Sequence, residues 1–320
     1  MSQVCPVCSS SDVKHHRNLH DDRFAYPGEF ELVCCGNCGH KFLAGEFTPE
    51  MLIRMYSDYY PRSNMKLEDF TPLPEIKGFR DWLRGEFRAY SAVPRNVRVL
   101  DIGCGFGESL AYHQARGCEV YGVEADTNIK RVAEKFGFNV HVGVFEPDLY
   151  EENFFDYITM DQVIEHVIDP IETLSGIARV LKPGGRLVMT TPNSNGWGVR
   201  AFGDKWIHWH CPYHLQQYSR KSMKLAAKKT GFTVERSPTI TSSEWLFYQR
   251  AHSAAYPEKG KPHPFWQPAN GNEPTEEQSA VIARARRFHT RRFKPNHLIT
   301  RFFDMLRVGD NYFFSLRKNP

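Results

Sequence analysis

The sequence predicts an α/β fold with a doubly wound sheet, and three features of one segment support that prediction. An apolar run over residues 97–102 has the length and composition of a buried strand. Gly103, Gly105 and Gly107 follow it directly and predict a tight turn. Because glycine has no Cβ, such a turn lets the backbone approach a ligand closely. A strand, a glycine-rich turn and the start of a helix form the nucleotide-binding end of this fold class.

The residues around the turn indicate which nucleotide it binds. The dinucleotide fingerprint needs a third glycine at position 108, where this chain has Glu108. A carboxylate at the start of the helix would repel a pyrophosphate, and the Lys-Ser/Thr pair of a P-loop is missing. An acidic turn between Asp101 and Glu108 instead suits a cationic ligand without a phosphate. S-adenosylmethionine is such a ligand.

Three further segments follow in the order that this fold class requires. Residues 119–124 predict a second strand, and its final residue, Glu124, can accept both hydroxyls of a ribose. Residues 155–161 predict another buried strand. Residues 180–190 predict a helix end, a Pro-Gly-Gly turn and a further strand. Together with the first strand, these segments make four consecutive parts of a parallel sheet.

In this order the four segments resemble the class I S-adenosylmethionine-dependent methyltransferases, and most closely their small-molecule branch of quinone-biosynthesis and methyltransferase-23-like proteins. The resemblance covers roughly residues 95–240, about half of the chain. It implies a Rossmann-like, seven-stranded methyltransferase sheet whose final antiparallel strand lies over residues 309–317. It also implies that the following residues bind the cofactor: Asp101, Gly103, Cys104, Gly105, Gly107, Glu124, Ala125, Asp161 and Gln162.

The cysteines predict a second, smaller module. Four of the eight cysteines form two Cys-x-x-Cys pairs, Cys5/Cys8 and Cys35/Cys38. Two residues between thiolates let both sulfur atoms bind one tetrahedral zinc ion. The pattern resembles a zinc ribbon and predicts such a module over residues 1–44. The zinc would be structural, because four protein ligands leave no open position for chemistry.

Part of this metal site stays open at the level of sequence. The segment between Cys8 and Cys35 is longer than the spacing of about 15–20 residues that is usual between zinc knuckles, and a hairpin around residues 30–33 would fill it. Cys34 is an alternative to Cys35, and His40 is an alternative fourth ligand. Reduced free thiols are the alternative to any metal site.

The length of 320 residues predicts one large domain and a small one. After the zinc module we expect a helical linker or lid over residues 45–94. A class I methyltransferase domain would then cover residues 95–320, with an insertion at about 245–308. The spacing of apolar residues predicts one helix over residues 76–90 and one over residues 282–303.

Three histidines are candidate general bases for the reaction. His214 is the leading candidate, because residues 212–219 resemble a segment of the small-molecule branch, and His210 and His166 follow it. A histidine whose pKa is near neutral can remove the proton of a hydroxyl acceptor, which favours O-methylation over N- or C-methylation. The alternative for each histidine is a structural role, in which it packs or binds a backbone group.

The sequence therefore predicts an S-adenosylmethionine-dependent methyltransferase that acts on a small-molecule or sugar-like acceptor. An RNA methyltransferase is one alternative, because zinc ribbons and basic helices such as residues 284–294 occur in nucleic-acid-binding proteins. Nucleic acid is the less favoured partner, since residues 161–164 lack the Pro-Pro-aromatic signature of base-amine methylation. A non-catalytic adapter is a second alternative, against which the intact glycine turn and Glu124 count.

Composition limits the remaining function classes. A net charge of +4 is too small to indicate nucleic-acid binding by itself, and 24% charged residues are ordinary for a globular protein. We recognise no apolar run long enough to span a bilayer and no N-terminal leader. We therefore expect a cytoplasmic protein without a membrane partner.

Overall fold

The computed structural model of the chain describes residues 3–60, 67–266, 276–291 and 293–320. The strands are β1 (Val13–Leu19), β2 (Phe30–Cys35), β3 (Lys41–Leu43), β4 (Arg98–Ile102), β5 (Glu119–Glu124), β6 (Asn139–Val142), β7 (Phe155–Asp161), β8 (Leu181–Pro192), β9 (Gln216–Gln217), β10 (Phe232–Arg236), β11 (Thr239–Ile240) and β12 (Asn311–Lys318). The helices are α1 (Pro49–Arg54), α2 (Gly78–Arg84), α3 (Glu108–Gln114), α4 (Ile129–Phe136), α5 (Pro170–Val180), α6 (Trp197–Phe202), α7 (Arg220–Lys229), α8 (Ser243–Ala254), α9 (Glu276–Arg291) and α10 (Phe293–Met305).

The large sheet has the strand order β6-β5-β4-β7-β8-β12-β10. The first five of these strands are parallel, and β12 is antiparallel to both β8 and β10. This confirms the predicted seven-stranded sheet, to which the two-residue strand β11 is added beside β12. The central strands are buried on both faces, which explains why they read as continuous apolar runs such as the one around Leu100.

Two helix predictions are corrected by the structure. The spacing predicts a helix over residues 76–90, but α2 ends at Gly85, whose φ of +75° terminates it, and Phe79 is 73% exposed. The spacing also predicts one helix over residues 282–303, whereas two helices, α9 and α10, occupy this region. Pro295 lies in the first turn of α10, the part of a helix that tolerates a residue without an N–H group.

The N-terminal segment forms a second sheet that extends into the large domain. Its order is β1-β2-β3-β9, and β1 and β2 form the hairpin expected around residues 30–33. Strand β3 pairs with β9, so that Phe42 lies opposite Gln216. Phe42 and Cys38 also belong to the same apolar core as Tyr218. The metal-binding segment and the large domain therefore share both a sheet and a core.

Candidate active site and metal centre

The four predicted zinc ligands converge in the N-terminal segment. The Sγ atoms of Cys5 and Cys38 lie 3.6 Å apart, and those of Cys8 and Cys35 lie 3.4 Å apart. All four sulfur atoms lie within 4.8 Å of one another. A tetrahedral zinc ion with metal–sulfur bonds of about 2.3 Å requires sulfur–sulfur distances of roughly 3.8 Å. The donor set and its dimensions therefore fit a structural zinc ion.

The structure separates the two alternative ligands from this cluster. Cys34 lies outside the four-sulfur group, and its thiol faces the carbonyl of Cys35 at 3.9 Å. The ring of His40 is fully buried, and its Nε2 lies 2.8 Å from Oε1 of Gln216. His40 thus joins the metal-binding segment to strand β9. Within the described part of the chain, Cys5, Cys8, Cys35 and Cys38 are the cysteines whose sulfur atoms lie close enough together to hold one metal ion.

The glycine turn after β4 presents its backbone to open space. Gly103 and Gly105 have φ values of +74° and +58°, a region that favours glycine, and both are exposed. The amides of Gly103 and Cys104 donate to the carbonyl of Val123 at 2.8 and 3.1 Å. A Cβ added at Gly105 would have no atom within 4 Å. The turn is therefore bound to β5 on one side, while Gly105 faces open space on the other. We call the turn over residues 103–107 the glycine cradle.

Glu124 fastens the end of β5 to this turn. One carboxylate oxygen accepts a hydrogen bond from the amide of Gly105 at 2.9 Å, and the other accepts one from the amide of Asp126 at 2.8 Å. Burial raises the pKa of Glu124, although these backbone hydrogen bonds oppose the effect. Ala125 lies exposed beside it. This arrangement fits the predicted ribose-binding position next to the cradle.

Two of the predicted cofactor residues lie beneath the turn. Asp101 is buried, and its two oxygens accept hydrogen bonds from the hydroxyls of Ser109 and Thr159, the latter at 2.7 Å. Burial raises the pKa of Asp101 to about 6, although both hydrogen bonds oppose the shift. The side chain of Cys104 is also buried, and Gly107 is the buried residue that precedes α3. Asp101 and Cys104 therefore support the turn from the protein side.

Asp161 and Gln162 connect the end of β7 to neighbouring elements. Asp161 accepts a hydrogen bond from Nε of Arg88 at 2.6 Å and another from the hydroxyl of Thr190. Gln162 has a φ of +60°, and its side-chain amide donates to Thr190 and Asn311 at 3.1 and 3.2 Å. Arg88 was not identified in the sequence analysis, because nothing local links a residue before β4 to the end of β7.

The structure brings the three candidate histidines together. The ring centroids of His166 and His214 lie 4.6 Å apart, and those of His210 and His214 lie 4.8 Å apart. Nδ1 of His214 lies 2.8 Å from the carbonyl oxygen of His208. Because a carbonyl only accepts hydrogen bonds, Nδ1 carries the proton and Nε2 carries the lone pair. Burial lowers the pKa of His166 to about 4 and those of His210 and His214 well below their usual range.

Four aromatic residues pack beside these histidines, three from residues 24–60 and one from the loop before β9. A π-helical turn over Met55–Tyr59 follows α1 and brings the hydroxyl of Tyr56 to 2.9 Å from Nδ1 of His166. The rings of Phe24, Tyr60 and Tyr213 pack against one another and against His210. We call this set of three histidines and four aromatic residues the histidine–aromatic cluster.

Glu165 is a buried carboxyl group beside that cluster. One of its oxygens accepts a hydrogen bond from the hydroxyl of Thr191 at 3.0 Å, and the other has no partner. Burial raises the pKa of Glu165 to about 8. Glu165, His166 and His214 each bring one donor atom to within 4.8 Å of the others. Since His166 is already bonded to Tyr56 and to the backbone of Tyr213, we assign no metal to this group.

The cluster and the glycine turn are electrostatically connected. Burial raises the pKa of Tyr56, and the negative charges of Glu165 and Glu124 add to the effect. Burial also raises the pKa of Tyr60, which responds to the charge of Glu124 as well. A direct link is Val163, whose side chain lies against Gly103 and whose carbonyl accepts a hydrogen bond from the amide of His166 at 2.9 Å.

The basic residues of the insertion are only partly described. Arg284, Arg286 and Arg287 are exposed on α9, while Arg292 and the side chains of Arg291 and Lys294 lie outside the described residues. Within the described ranges, no helix combines the length and the apolar character needed to cross a bilayer.

Known proteins resemble this chain mainly over the large sheet. The family described as "Methyltransferase domain" matches residues 61–237. The ubiquinone biosynthesis O-methyltransferase of Ralstonia nicotianae is 32% identical over 163 residues, which are 48% of this chain and 66% of that protein. The protein of the same name from Maricaulis maris is 31% identical over 209 residues, which are 60% of this chain and 82% of that protein. The chain spans between about half and two thirds of the first relatives that it matches.

Two solved structures also resemble the fold. Phosphoethanolamine N-methyltransferase 2 of Haemonchus contortus, in complex with S-adenosyl-L-methionine, has a TM-score of 0.47 at 22% identity, covering 72% of this chain and 50% of that one. An S-adenosylmethionine-dependent methyltransferase of Archaeoglobus fulgidus has a TM-score of 0.42 at 19% identity, and the match covers 72% of this chain and 88% of that one. Scores this low add nothing to the assignment, which rests on the sequence matches. The chain belongs to the methyltransferase domain family, within the class I S-adenosylmethionine-dependent methyltransferases.

Proposed function

We propose that this chain transfers the methyl group of S-adenosylmethionine to a hydroxyl oxygen of a small-molecule or sugar-like acceptor. The observation that carries the proposal is that Val163 lies against Gly103 of the open turn and accepts a hydrogen bond from the amide of His166, which joins the turn to the histidine–aromatic cluster. Relatives named as ubiquinone biosynthesis O-methyltransferases support transfer to oxygen.

The cofactor would lie along the cradle. When bound, S-adenosylmethionine supplies a methyl group on a positively charged sulfur. Gly103 and Gly105 would contact it through backbone atoms, because neither carries a side chain that would block close approach. Glu124 would hold the ribose, and Ala125, Asp161 and Gln162 would border the site. The carboxylates at this edge suit a cationic ligand.

His214 is the proposed general base. Its Nε2 holds the lone pair, because Nδ1 donates to the carbonyl of His208. Burial lowers the pKa of His214 below its usual range, which leaves the imidazole unprotonated at neutral pH but also makes it a weaker base than an ordinary histidine. In the reaction Nε2 of His214 would take the hydroxyl proton of the acceptor, while the acceptor oxygen would bond to the methyl carbon and the sulfur–carbon bond would break. Tyr56 and His166 would align the acceptor, and alignment supplies much of the rate of an in-line displacement.

The experiment measures cofactor binding and methyl transfer separately. Calorimetry with S-adenosylhomocysteine tests the cradle, and transfer of labelled methyl groups to catechol and other hydroxylated compounds tests the reaction. We expect His214→Gln to bind S-adenosylhomocysteine like the wild type but to lose roughly 100-fold or more in kcat, the usual contribution of a general base. His15→Gln, on an exposed ring, is the matched control and should change neither quantity.

Each result has one consequence. A wild-type protein that does not bind S-adenosylhomocysteine would exclude the methyltransferase proposal. Binding without transfer to any hydroxyl in the panel would favour the non-catalytic adapter. Full activity of His214→Gln would exclude His214 as the general base, but it would not affect the assignment of the glycine turn to the cofactor.

A further inference from the structure

A buried arginine from the N-terminal segment lies beside the histidine–aromatic cluster. Arg23 belongs to the loop between β1 and β2 and is only 7% exposed. It lies outside residues 61–237, so the family match says nothing about it. Burying a charged side chain is costly unless an opposite charge or several hydrogen bonds compensate for the lost hydration. The guanidinium group of Arg23 therefore needs such a compensating partner.

The two neighbouring carboxylates are engaged elsewhere. Asp21 accepts hydrogen bonds from the backbone amides of residues 23, 24 and 26 at 2.8–2.9 Å. Asp22 faces Nε2 of His252 at 3.1 Å. Within the described part of the chain, no carboxylate oxygen lies within 4.0 Å of the Arg23 guanidinium nitrogens. The carboxylates lie close in sequence, but neither forms an ion pair with Arg23.

The contacts that Arg23 makes do not use all of the N–H donors of its guanidinium group. One terminal nitrogen donates to the carbonyl of Ile207, and the guanidinium lies 4.3 Å from the centre of the Trp266 ring. Its Nε is buried and has no hydrogen-bond partner. A carbonyl and an indole ring hold the side chain in place without neutralising its charge. The guanidinium is therefore held in place without a carboxylate of the described residues in direct contact, although the charges of Asp22 and Asp21 act on it from beyond ion-pair distance.

Arg23 acts on the same side chains that we assign to the reaction. Burial is the main cause that lowers the pKa of His166, His210 and His214, and the positive charge of Arg23 adds to it in each case. The next residue, Phe24, packs on His210 at 5.9 Å between ring centroids. The charge and the histidine–aromatic cluster therefore belong to one site, to which the N-terminal segment contributes.

We infer that Arg23 binds an oxyanion of the acceptor, a carboxylate or a phosphate, so that the acceptor carries an anionic group as well as the hydroxyl that is methylated. A guanidinium fork matches both oxyanions and forms strong charge-assisted hydrogen bonds with them. This inference rests on the proposed function, because it assigns a second contact within the same acceptor site. The bound anion would also offset the field of Arg23 and make His214 a stronger base once the acceptor is in place.

The test uses the full chain saturated with S-adenosylhomocysteine and three probes of similar size. Benzoate and phenyl phosphate carry the two candidate anions, and benzamide is the neutral analogue. We expect at least one anion to bind the wild type roughly tenfold or more tightly than benzamide, as expected for a charge-assisted contact. The benzoate and phenyl phosphate arms decide which oxyanion the site prefers.

Arg23→Gln should remove the preference for the anion, whereas Arg17→Gln should retain it. Arg17 is the matched control, because it lies on the same segment and over the ring of Trp209 at 4.5 Å, but is paired with Asp204 at 2.6 Å. Arg23→Lys, which keeps the charge without the fork, should retain part of the preference and serves as the second variant should Arg23→Gln not fold.

Equal binding of benzamide and both anions to the wild type would overturn the inference, as would an anion preference that persists in folded Arg23→Gln. Binding of S-adenosylhomocysteine is recorded in the same samples. Its loss from the wild type would exclude the proposed function. If it is retained without any anion preference, only the role of Arg23 is excluded.

Discussion

Glu124→Gln is the sharpest test of the cofactor cradle. The two carboxylate oxygens accept hydrogen bonds from the amides of Gly105 and Asp126, at 2.9 and 2.8 Å. The glutamine amide keeps only one acceptor oxygen, and its NH2 group would face the other N–H. The substitution therefore removes one charge-assisted hydrogen bond and weakens the contact proposed with the ribose.

The size of the effect follows from these two contacts. A hydrogen bond to a charged group contributes about 1.5–3 kcal/mol. If that loss appears in binding, the Kd for S-adenosylhomocysteine rises roughly 10- to 150-fold, since about 1.4 kcal/mol corresponds to a factor of ten. Any part of the loss that loosens the turn in the free protein appears instead as a lower free energy of unfolding.

Calorimetry and urea denaturation measure the two parts on the same samples. Glu119→Gln is the matched control, because Glu119 begins the strand that Glu124 ends and is bonded to Arg98 and Tyr121 far from the turn. A folded Glu124→Gln protein whose Kd stays within threefold of the wild type would refute the assignment of Glu124 to the cofactor.

Three further predictions concern the metal, a buried carboxyl group and the turn. Cys35→Ser should lose bound zinc, measured by elemental analysis, and melt well below the wild type, whereas Cys34→Ser should keep its zinc because its sulfur lies outside the cluster. Burial raises the pKa of Glu165 from 4.5 to about 8, so the folded state keeps a proton that the unfolded state releases, and stability falls as pH rises from about 5 to 8. Glu165→Gln should flatten that decline by up to about 1.4 kcal/mol per pH unit in urea denaturation, and an unchanged slope would contradict the shift. Gly103→Ala should lower the melting temperature more than Gly105→Ala, because a Cβ at Gly103 would lie 2.4 Å from Val163. A Cβ at Gly105 meets no atom within 4 Å, so Gly105→Ala adds only the cost of a positive φ, about 1–2 kcal/mol. Equal losses in the two variants would contradict the close contact between Gly103 and Val163.

The elements that sequence analysis predicted well are those whose signal is local. Strand β4 and its turn are specified by apolar residues followed by glycines that need a positive φ. The two Cys-x-x-Cys pairs likewise predicted the four-cysteine cluster, because two intervening residues already place two sulfur atoms on one side of a turn. The helix prediction over residues 76–90 was wrong because apolar spacing continued past Gly85, whose conformation ends the helix.

Sequence by itself determined the parallel sheet, the cradle and the four-cysteine cluster, because short-range patterns encode backbone conformation and ligand spacing. Only the tertiary structure decided how the site is assembled. The pairing of β3 with β9, the contact of Tyr56 with His166 and the position of Arg23 join residues separated by more than a hundred positions. Such contacts depend on how packed elements meet, and no local periodicity records them. The burial that sets the pKa values of Glu165 and His214 arises from the same packing and became visible only with the fold.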